Sequence, residues 1–170
     1  MVRGLDVFQS WFEAYADQYV LIGGTAASLA MEESGLAFRA TKDLDIVLHV
    51  EALTPAFGEA FWKFIEAGVY EIRQASDTSK QIFYRFQKPA DHHYPAMIEL
   101  FARAPDGLLP AEGSQLTPIP LDEAVSSLSA ILLNDAYYAF IIEGRREVAG
   151  LPWVGEDRLI PLKAVAWLEL

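Results

Sequence analysis

The sequence predicts an α/β (α+β) domain in which helices flank a mixed, mostly antiparallel sheet. Short apolar runs that end at glycine, as over 19–23, are typical of buried strands. Longer segments with an apolar residue at every third or fourth position, as over 5–17, are typical of amphipathic helices. The chain has 170 residues, of which 52% are hydrophobic, which is enough for one compact domain with a small extension.

A glycine pair and a helix follow the first predicted strand. That strand, over 19–23, ends at Gly23 and Gly24. We expect the hydroxyl of Thr25 to cap a helix over 26–34, because threonine often satisfies the free N–H groups at a helix start.

Alternating polar and apolar residues predict a second strand over 43–50. Side chains two positions apart on a strand project from the same face, so Asp43 and Asp45 share one face. After this strand, Thr54 is expected to cap another helix, whose first turn contains Pro55.

Three further strands are predicted in the middle of the chain. Those over 70–74 and 80–88 are expected to pair antiparallel around a polar turn. The strand over 96–103 contains Glu99, an acid among apolar residues. The glycine- and proline-containing segment 105–113 is predicted to be a loop.

The last part of the chain predicts helices and one hairpin. A helix is expected over 121–144, broken near Asn134, and a hairpin over 146–155. A final helix is expected over 159–170. Because the chain ends inside this apolar helix, we expect the natural protein to continue beyond Leu170.

The charge and composition exclude several classes of protein. A net charge of -11 argues against binding nucleic acid by broad phosphate neutralisation, so a polyanion would need a local basic cluster or a metal. The acidic surface can dock a basic protein, or it can serve solubility alone. The absence of cysteine excludes disulfides and thiolate metal sites. Without a signal peptide or a long apolar run, we expect a cytoplasmic protein and no membrane partner.

The paired aspartates predict a metal site. Two unit charges about 4 Å apart repel by roughly 4 kcal/mol at an effective dielectric constant near 20. A divalent cation relieves that repulsion, and Mg²⁺, or Mn²⁺ in its place, binds carboxylate and phosphate oxygens together. Asp43 and Asp45 are therefore candidate ligands, and Glu99 is the best candidate for a third acid.

The glycine pair predicts an anion site beside that metal. Gly23 and Gly24 allow close approach of a ligand, and the following helix directs free N–H groups towards it. Thr25 adds a hydroxyl. A nucleoside triphosphate held here and on the metal would suit phosphoryl or nucleotidyl transfer, in which positioning and charge neutralisation supply most of the catalysis.

Each motif alone also has a plainer interpretation. An Asp-x-Asp pair is commonly a solvated strand edge, a glycine pair is commonly a turn, and Glu99 can pair with an arginine. The combination favours the metal–triphosphate site. A dinucleotide fold and a P-loop are disfavoured because neither G-x-G-x-x-G nor G-x-x-x-x-G-K-[ST] occurs.

The stretches "IGGTAASLA", "RATKDLDIVL" and "IEL" together resemble the nucleotidyltransferase superfamily, which has the DNA polymerase beta-like fold. The chain is most similar to the AbiEii/AbiGii-type toxin group, whose members often carry an arginine and a threonine before the acid pair, as at Arg39 and Thr41. The later "LIPLKA" segment is also similar to that group. By this resemblance, residues 1–120 form the nucleotidyltransferase core and 121–170 a truncated C-terminal helical extension with a hairpin.

The resemblance implies roles for eight residues. It makes Asp43 and Asp45 the first two metal ligands and Glu99 the third acid, which is commonly aspartate in active relatives. Its remaining matches are residues that would contact the nucleotide: Gly23, Gly24, Thr25, Arg39 and Lys163.

The resemblance also implies the reaction and its setting. A Mg²⁺-dependent enzyme would move a nucleoside monophosphate from a nucleoside triphosphate to a hydroxyl of RNA or protein. It would act as the toxin of a toxin–antitoxin or phage-defence pair, with an antitoxin protein as partner. The glutamate at position 99 and the short C-terminus keep a second possibility open, a catalytically degenerate nucleotidyltransferase-like module that binds a nucleotide or a protein.

Overall fold

The computed structural model describes residues 2–39, 41–74, 81–103, 116–118 and 129–168. Five α-helices, one 3-10 helix and nine strands lie within these residues. In chain order they are α1 (Leu5–Phe12), the 3-10 helix (Glu13–Gln18), β1 (Tyr19–Ile22), α2 (Gly23–Glu33), β2 (Asp43–Leu48), α3 (Pro55–Gly68), β3 (Glu71–Gln74), β4 (Gln81–Gln87), β5 (Met97–Ala102), β6 (Leu116–Pro118), β7 (Ser129–Leu132), α4 (Asp135–Glu143), β8 (Arg145–Val148), β9 (Leu151–Val154) and α5 (Glu156–Leu168).

The described strands form one mixed sheet. Its main order is β3-β4-β5-β2-β1-β9-β8, while β7 pairs with β5 and with β6. Among the described strands, five pairings are antiparallel and three, β1 with β9, β2 with β5 and β5 with β7, are parallel. The predicted α+β class and the mixed, mostly antiparallel sheet are therefore confirmed.

An aromatic cluster between α1, α3 and the sheet forms the centre of the core. Phe8 stacks on Phe12 with ring centroids 4.4 Å apart, and Phe64 lies edge-on to both. These rings are fully buried, and burying such a side chain contributes roughly 1.5–3 kcal/mol. Tyr19 at the start of β1 joins this cluster, so the cluster packs against β1.

The local signals in the first two thirds of the chain place most elements correctly. Thr54 caps α3, since its side chain accepts a hydrogen bond from the N–H of Phe57, and the predicted proline lies in the first turn. The helix predicted over 5–17 is α1 followed by the 3-10 helix. Both predicted strands of the middle hairpin, β3 and β4, pair antiparallel. The turn between them and the loop over 105–113 lie outside the described residues.

The helix predicted over 121–144 is partly wrong. Residues 129–132 form β7, which pairs with β5 and β6, and α4 begins only after Asn134. The short apolar run over 130–133 fits a strand or a buried helix equally by periodicity, and here pairing along the edge of β5 decides for a strand. The predicted break is confirmed, because Asn134 caps α4 by accepting from the N–H of Ala136. Residues 121–128 lie outside the described part.

The C-terminal hairpin extends the sheet. The predicted hairpin is confirmed as β8 and β9, with Ala149 and Gly150 at positive φ in the turn. Leu21 pairs in parallel with Trp153, so β9 lies directly beside β1. Residues beyond 120 therefore supply strands of the same sheet as well as helices. Within the described residues, no helix has the length and apolar character needed to cross a bilayer.

Candidate functional site

Two neighbouring strands bring the predicted acids together. β2 and β5 run parallel, and their register places Asp45 directly beside Glu99. Asp43 and Asp45 are partly buried on one face of β2, while the residues between and after them are fully buried. Since Val47 on the same face is also buried, the acidic site is confined to the first half of β2.

Asp45 is the acid whose ionisation this arrangement changes most. Burial of the carboxyl, together with the negative charges of Glu99 and Asp43, raises the pKa of Asp45 from 3.8 to about 6. The ammonium of Lys163 and a hydrogen bond from the N–H of Gly24 act in the opposite direction but do not cancel the rise. A carboxyl crowded by two others in this way gains most from a nearby cation.

The glycine pair makes room for this acid. α2 begins at Gly23, immediately after β1, and Gly23 has a left-handed φ of 63°. A side chain at Gly23 would clash with the carboxylate of Asp45, and one at Gly24 would lie 2.8 Å from the hydroxyl of Thr41. Gly23 therefore allows the close approach of Asp45, and Gly24 allows that of Thr41. As a result, the start of α2 and the acids form a single site.

Thr25 has a different role from the predicted one. The prediction that it caps α2 is wrong, because the helix starts at Gly23, three residues before the predicted start, and Ile22 occupies the cap position without a side-chain hydrogen bond. Thr25 is fully buried, and its hydroxyl donates to the main-chain oxygen of Asp43 at 2.9 Å. This bond ties the first turn of α2 to the start of β2. Thr25 thus positions the acids rather than facing a ligand.

Glu99 has a basic partner on its other side. β4 runs antiparallel to β5, and Arg85 lies directly opposite Glu99. Both Nε and an Nη of Arg85 contact one carboxylate oxygen of Glu99, and only 13% of the Glu99 side chain is exposed. The interpretation in which Glu99 pairs with an arginine is therefore confirmed.

The two predicted basic residues differ in their relation to the acids. Lys163 is exposed on α5, which packs against α2, and its charge lowers the pKa of Asp45. It therefore lies beside the acidic site. Arg39 is exposed, and within the described part of the chain it has no hydrogen bond or ion pair.

The donor chemistry of the site fits a hard divalent cation. Asp43 and Asp45 supply carboxylate oxygens, the ligands that Mg²⁺ and Mn²⁺ prefer. A cation would offset the burial of the Asp45 charge and its repulsion by Glu99 and Asp43. In the described ranges no three His, Cys, Asp or Glu side chains lie close enough together to hold a metal. Asp43 and Asp45 fit as a pair, and Glu99 would join them only by leaving Arg85.

A cavity of about 320 Å³ adjoins the acids. Its lining consists of Gly23, Lys163, Leu133, the ring of Tyr137 and apolar side chains of β1, α4 and α5. The sequence alone did not predict that Arg85 or Tyr137 belongs to this region. The only signal for Arg85 was its place in an alternating strand, and no motif marks Tyr137.

The fold and site define an α+β protein with a carboxylate cluster at the start of a helix. No protein-family model matches the chain, and searches of curated proteins and of solved structures also find no match.

Proposed function

We propose that the chain is a Mg²⁺-dependent nucleotidyltransferase. One observation carries the proposal: Asp45 lies beside Glu99, and its carboxylate lies against Gly23, the first residue of α2. The N-terminus of a helix favours binding of a phosphate group, and a pair of carboxylates favours binding of a divalent cation. Both features meet at one point, which is what transfer of a nucleotide from a triphosphate requires.

In the proposed reaction an acceptor hydroxyl attacks the α-phosphorus of the triphosphate. A new O–P bond forms, the bond from the α-phosphorus to the bridging oxygen breaks, and pyrophosphate leaves with the electron pair. When bound at Asp43 and Asp45, the cation would neutralise charge on the phosphate oxygens. The N–H groups at the start of α2 and the ammonium of Lys163 orient the phosphates.

Glu99 is the residue proposed to receive the proton of the acceptor hydroxyl. It neighbours Asp45 on the adjacent strand, so an acceptor near the metal pair would lie within its reach. Its ion pair with Arg85 engages one of its carboxylate oxygens. The proposal therefore requires Arg85 to move from Glu99 when substrates bind.

The biological role is proposed from the resemblance to AbiEii/AbiGii-type toxins. The chain would be the toxin of a toxin–antitoxin or phage-defence pair and would modify RNA or protein in the cytoplasm. The net charge of -11 supports a basic antitoxin protein as partner, since opposite charges speed and orient association.

The pairing of Glu99 with Arg85 favours a second function. If the pair does not open, the third acid is unavailable for catalysis, and the site can still hold a nucleotide on the start of α2 and on Lys163. The chain would then be a nucleotide-binding or protein-binding module without transferase activity.

Radiolabel transfer separates the two functions. The protein is incubated with each α-labelled nucleoside triphosphate, Mg²⁺ and either total RNA or a bacterial lysate. Asp45→Asn is compared with Asp6→Asn, a matched change at an exposed aspartate on α1. The transferase predicts label in RNA or protein that Asp45→Asn abolishes and Asp6→Asn leaves intact. Label that is absent, or equal in both variants, rejects the transferase, and thermal stabilisation by triphosphate without label supports the binding module.

A further inference from the structure

Two residues that line the cavity beside the acids, Gly23 and Lys163, also act on Asp45, and we call the region they line its polar end. Gly23 at its edge touches the space occupied by the carboxylate of Asp45, and Lys163 acts on the same carboxylate by its charge. The polar end is therefore continuous with the proposed phosphate and metal site. A ligand whose phosphates lie there would direct its remaining part into the cavity.

The rest of the cavity lining is apolar apart from the hydroxyl of Tyr137. Ile141 and Leu159 are almost fully buried in its lining, and Leu162 is partly buried. Tyr137 also lines it with 37% of the residue exposed, so an aromatic ring is accessible from the cavity. The volume of about 320 Å³ lies at the lower end of the roughly 300–1,000 Å³ typical of small-molecule sites.

We propose that this cavity holds the base of the nucleotide, stacked on Tyr137, while the phosphates lie at Gly23 and Lys163. The inference rests on the proposed nucleotide function and adds to it the way in which the base is recognised. Continuity with the acidic site argues for a nucleotide rather than an apolar segment of a partner, because only the nucleotide matches both ends.

The lining also determines how selective the site is. Among the described residues that line the cavity, only Tyr137 and Lys163 have polar side-chain groups, and Lys163 belongs to the phosphate end. Strong discrimination between bases needs buried hydrogen-bonding groups matched to one base edge. The four common bases should therefore bind within about tenfold of one another, and purines should bind more tightly because stacking and contact area are larger.

The test is calorimetric titration with triphosphates that cannot react. The probes are the α,β-methylene analogues of the four nucleoside triphosphates and, as a ligand without a base, ribose 5-triphosphate, all with Mg²⁺. The protein is compared as wild type, Tyr137→Ala and Tyr137→Phe. Tyr137 is partly exposed, so both variants should fold, and thermal unfolding checks this.

The stacked base makes specific predictions. Tyr137→Ala should weaken binding of the analogues about five- to a hundredfold, the range of base–aromatic stacking, and should leave binding of ribose 5-triphosphate unchanged. Tyr137→Phe keeps the ring and should stay within about twofold of the wild type. If the analogues and ribose 5-triphosphate bind equally well and Tyr137→Ala changes neither, the inference is overturned while the nucleotide function stands.

Two other outcomes also decide the question. If no triphosphate binds, both the proposed function and this inference fall. If an apolar fluorescent dye fills the cavity and the analogues do not displace it, the cavity belongs to an apolar partner segment and the inference is overturned.

Discussion

Replacing Asp45 by asparagine should make the metal-free protein more stable. The ionised carboxylate is partly buried beside Glu99 and Asp43, and this environment raises its pKa from 3.8 to about 6. Each pKa unit corresponds to about 1.4 kcal/mol, so ionised Asp45 costs the folded state about 3 kcal/mol. Asparagine is almost isosteric and keeps an oxygen for the N–H of Gly24, but it carries no charge.

The gain should depend on pH in a defined direction. Since the pKa is higher in the folded state, protonation of Asp45 stabilises folding fully below pH 3.8, and this stability is lost as the pH rises through about 6. The Asp45→Asn variant should therefore exceed the wild type by about 3 kcal/mol at pH 7.5 and by about half of that at pH 5.0. The lower point stays above the pI of about 4.6 to avoid precipitation.

Urea unfolding in the presence of EDTA measures both differences. At pH 7.5 the variant should also melt about 6–12 °C higher, as expected for a chain of this length. Addition of Mg²⁺ should reduce the advantage, because the cation stabilises only the charged site. An asparagine variant that is less stable than the wild type at pH 7.5, or a gain that is the same at both pH values, would refute the account of the site.

Three further substitutions test other contacts of the site. Gly23→Ala should lower the free energy of unfolding by about 1–3 kcal/mol in urea, because the alanine would need a left-handed φ and its Cβ would clash with Asp45. An unchanged midpoint of urea unfolding would contradict this. Thr25→Val should cost about 1 kcal/mol by removing the hydrogen bond to β2, whereas Thr25→Ser should cost less; equal losses would show that the hydroxyl is unimportant. Arg85→Gln should release Glu99 and raise the affinity of the site for Mn²⁺ several-fold, as measured by electron paramagnetic resonance. Weaker Mn²⁺ binding would mean that Arg85 supports the site.

The shared face of the acids could be predicted from the sequence, but their partners could not. A period of two places Asp43 and Asp45 on one side of a strand in any sheet. The neighbours of a strand depend on which distant segments pair with it, and the position of Arg85 opposite Glu99 follows from the register of β4 on β5. No local pattern encodes that register, so the arginine was foreseen only as an open possibility.

The errors made from the sequence have local physical causes. A threonine after a glycine pair predicts a helix cap, but Gly23 completes the turn by itself and lets the helix start earlier. The apolar run at 130–133 predicts a helix by its composition, but pairing with the edge of β5 makes 129–132 a strand. In both places, tertiary context overrides the local preference.

The position of β1 determines when the site is assembled during synthesis of the protein. β1 lies between β2 and β9, so one of its edges stays unpaired until the residues around Trp153 have been translated. Lys163 follows later still, on α5. A nascent chain that has already formed β2 and β5 therefore holds its acids beside an incomplete cavity. The cavity beside the acids is therefore complete only after α5 has been translated.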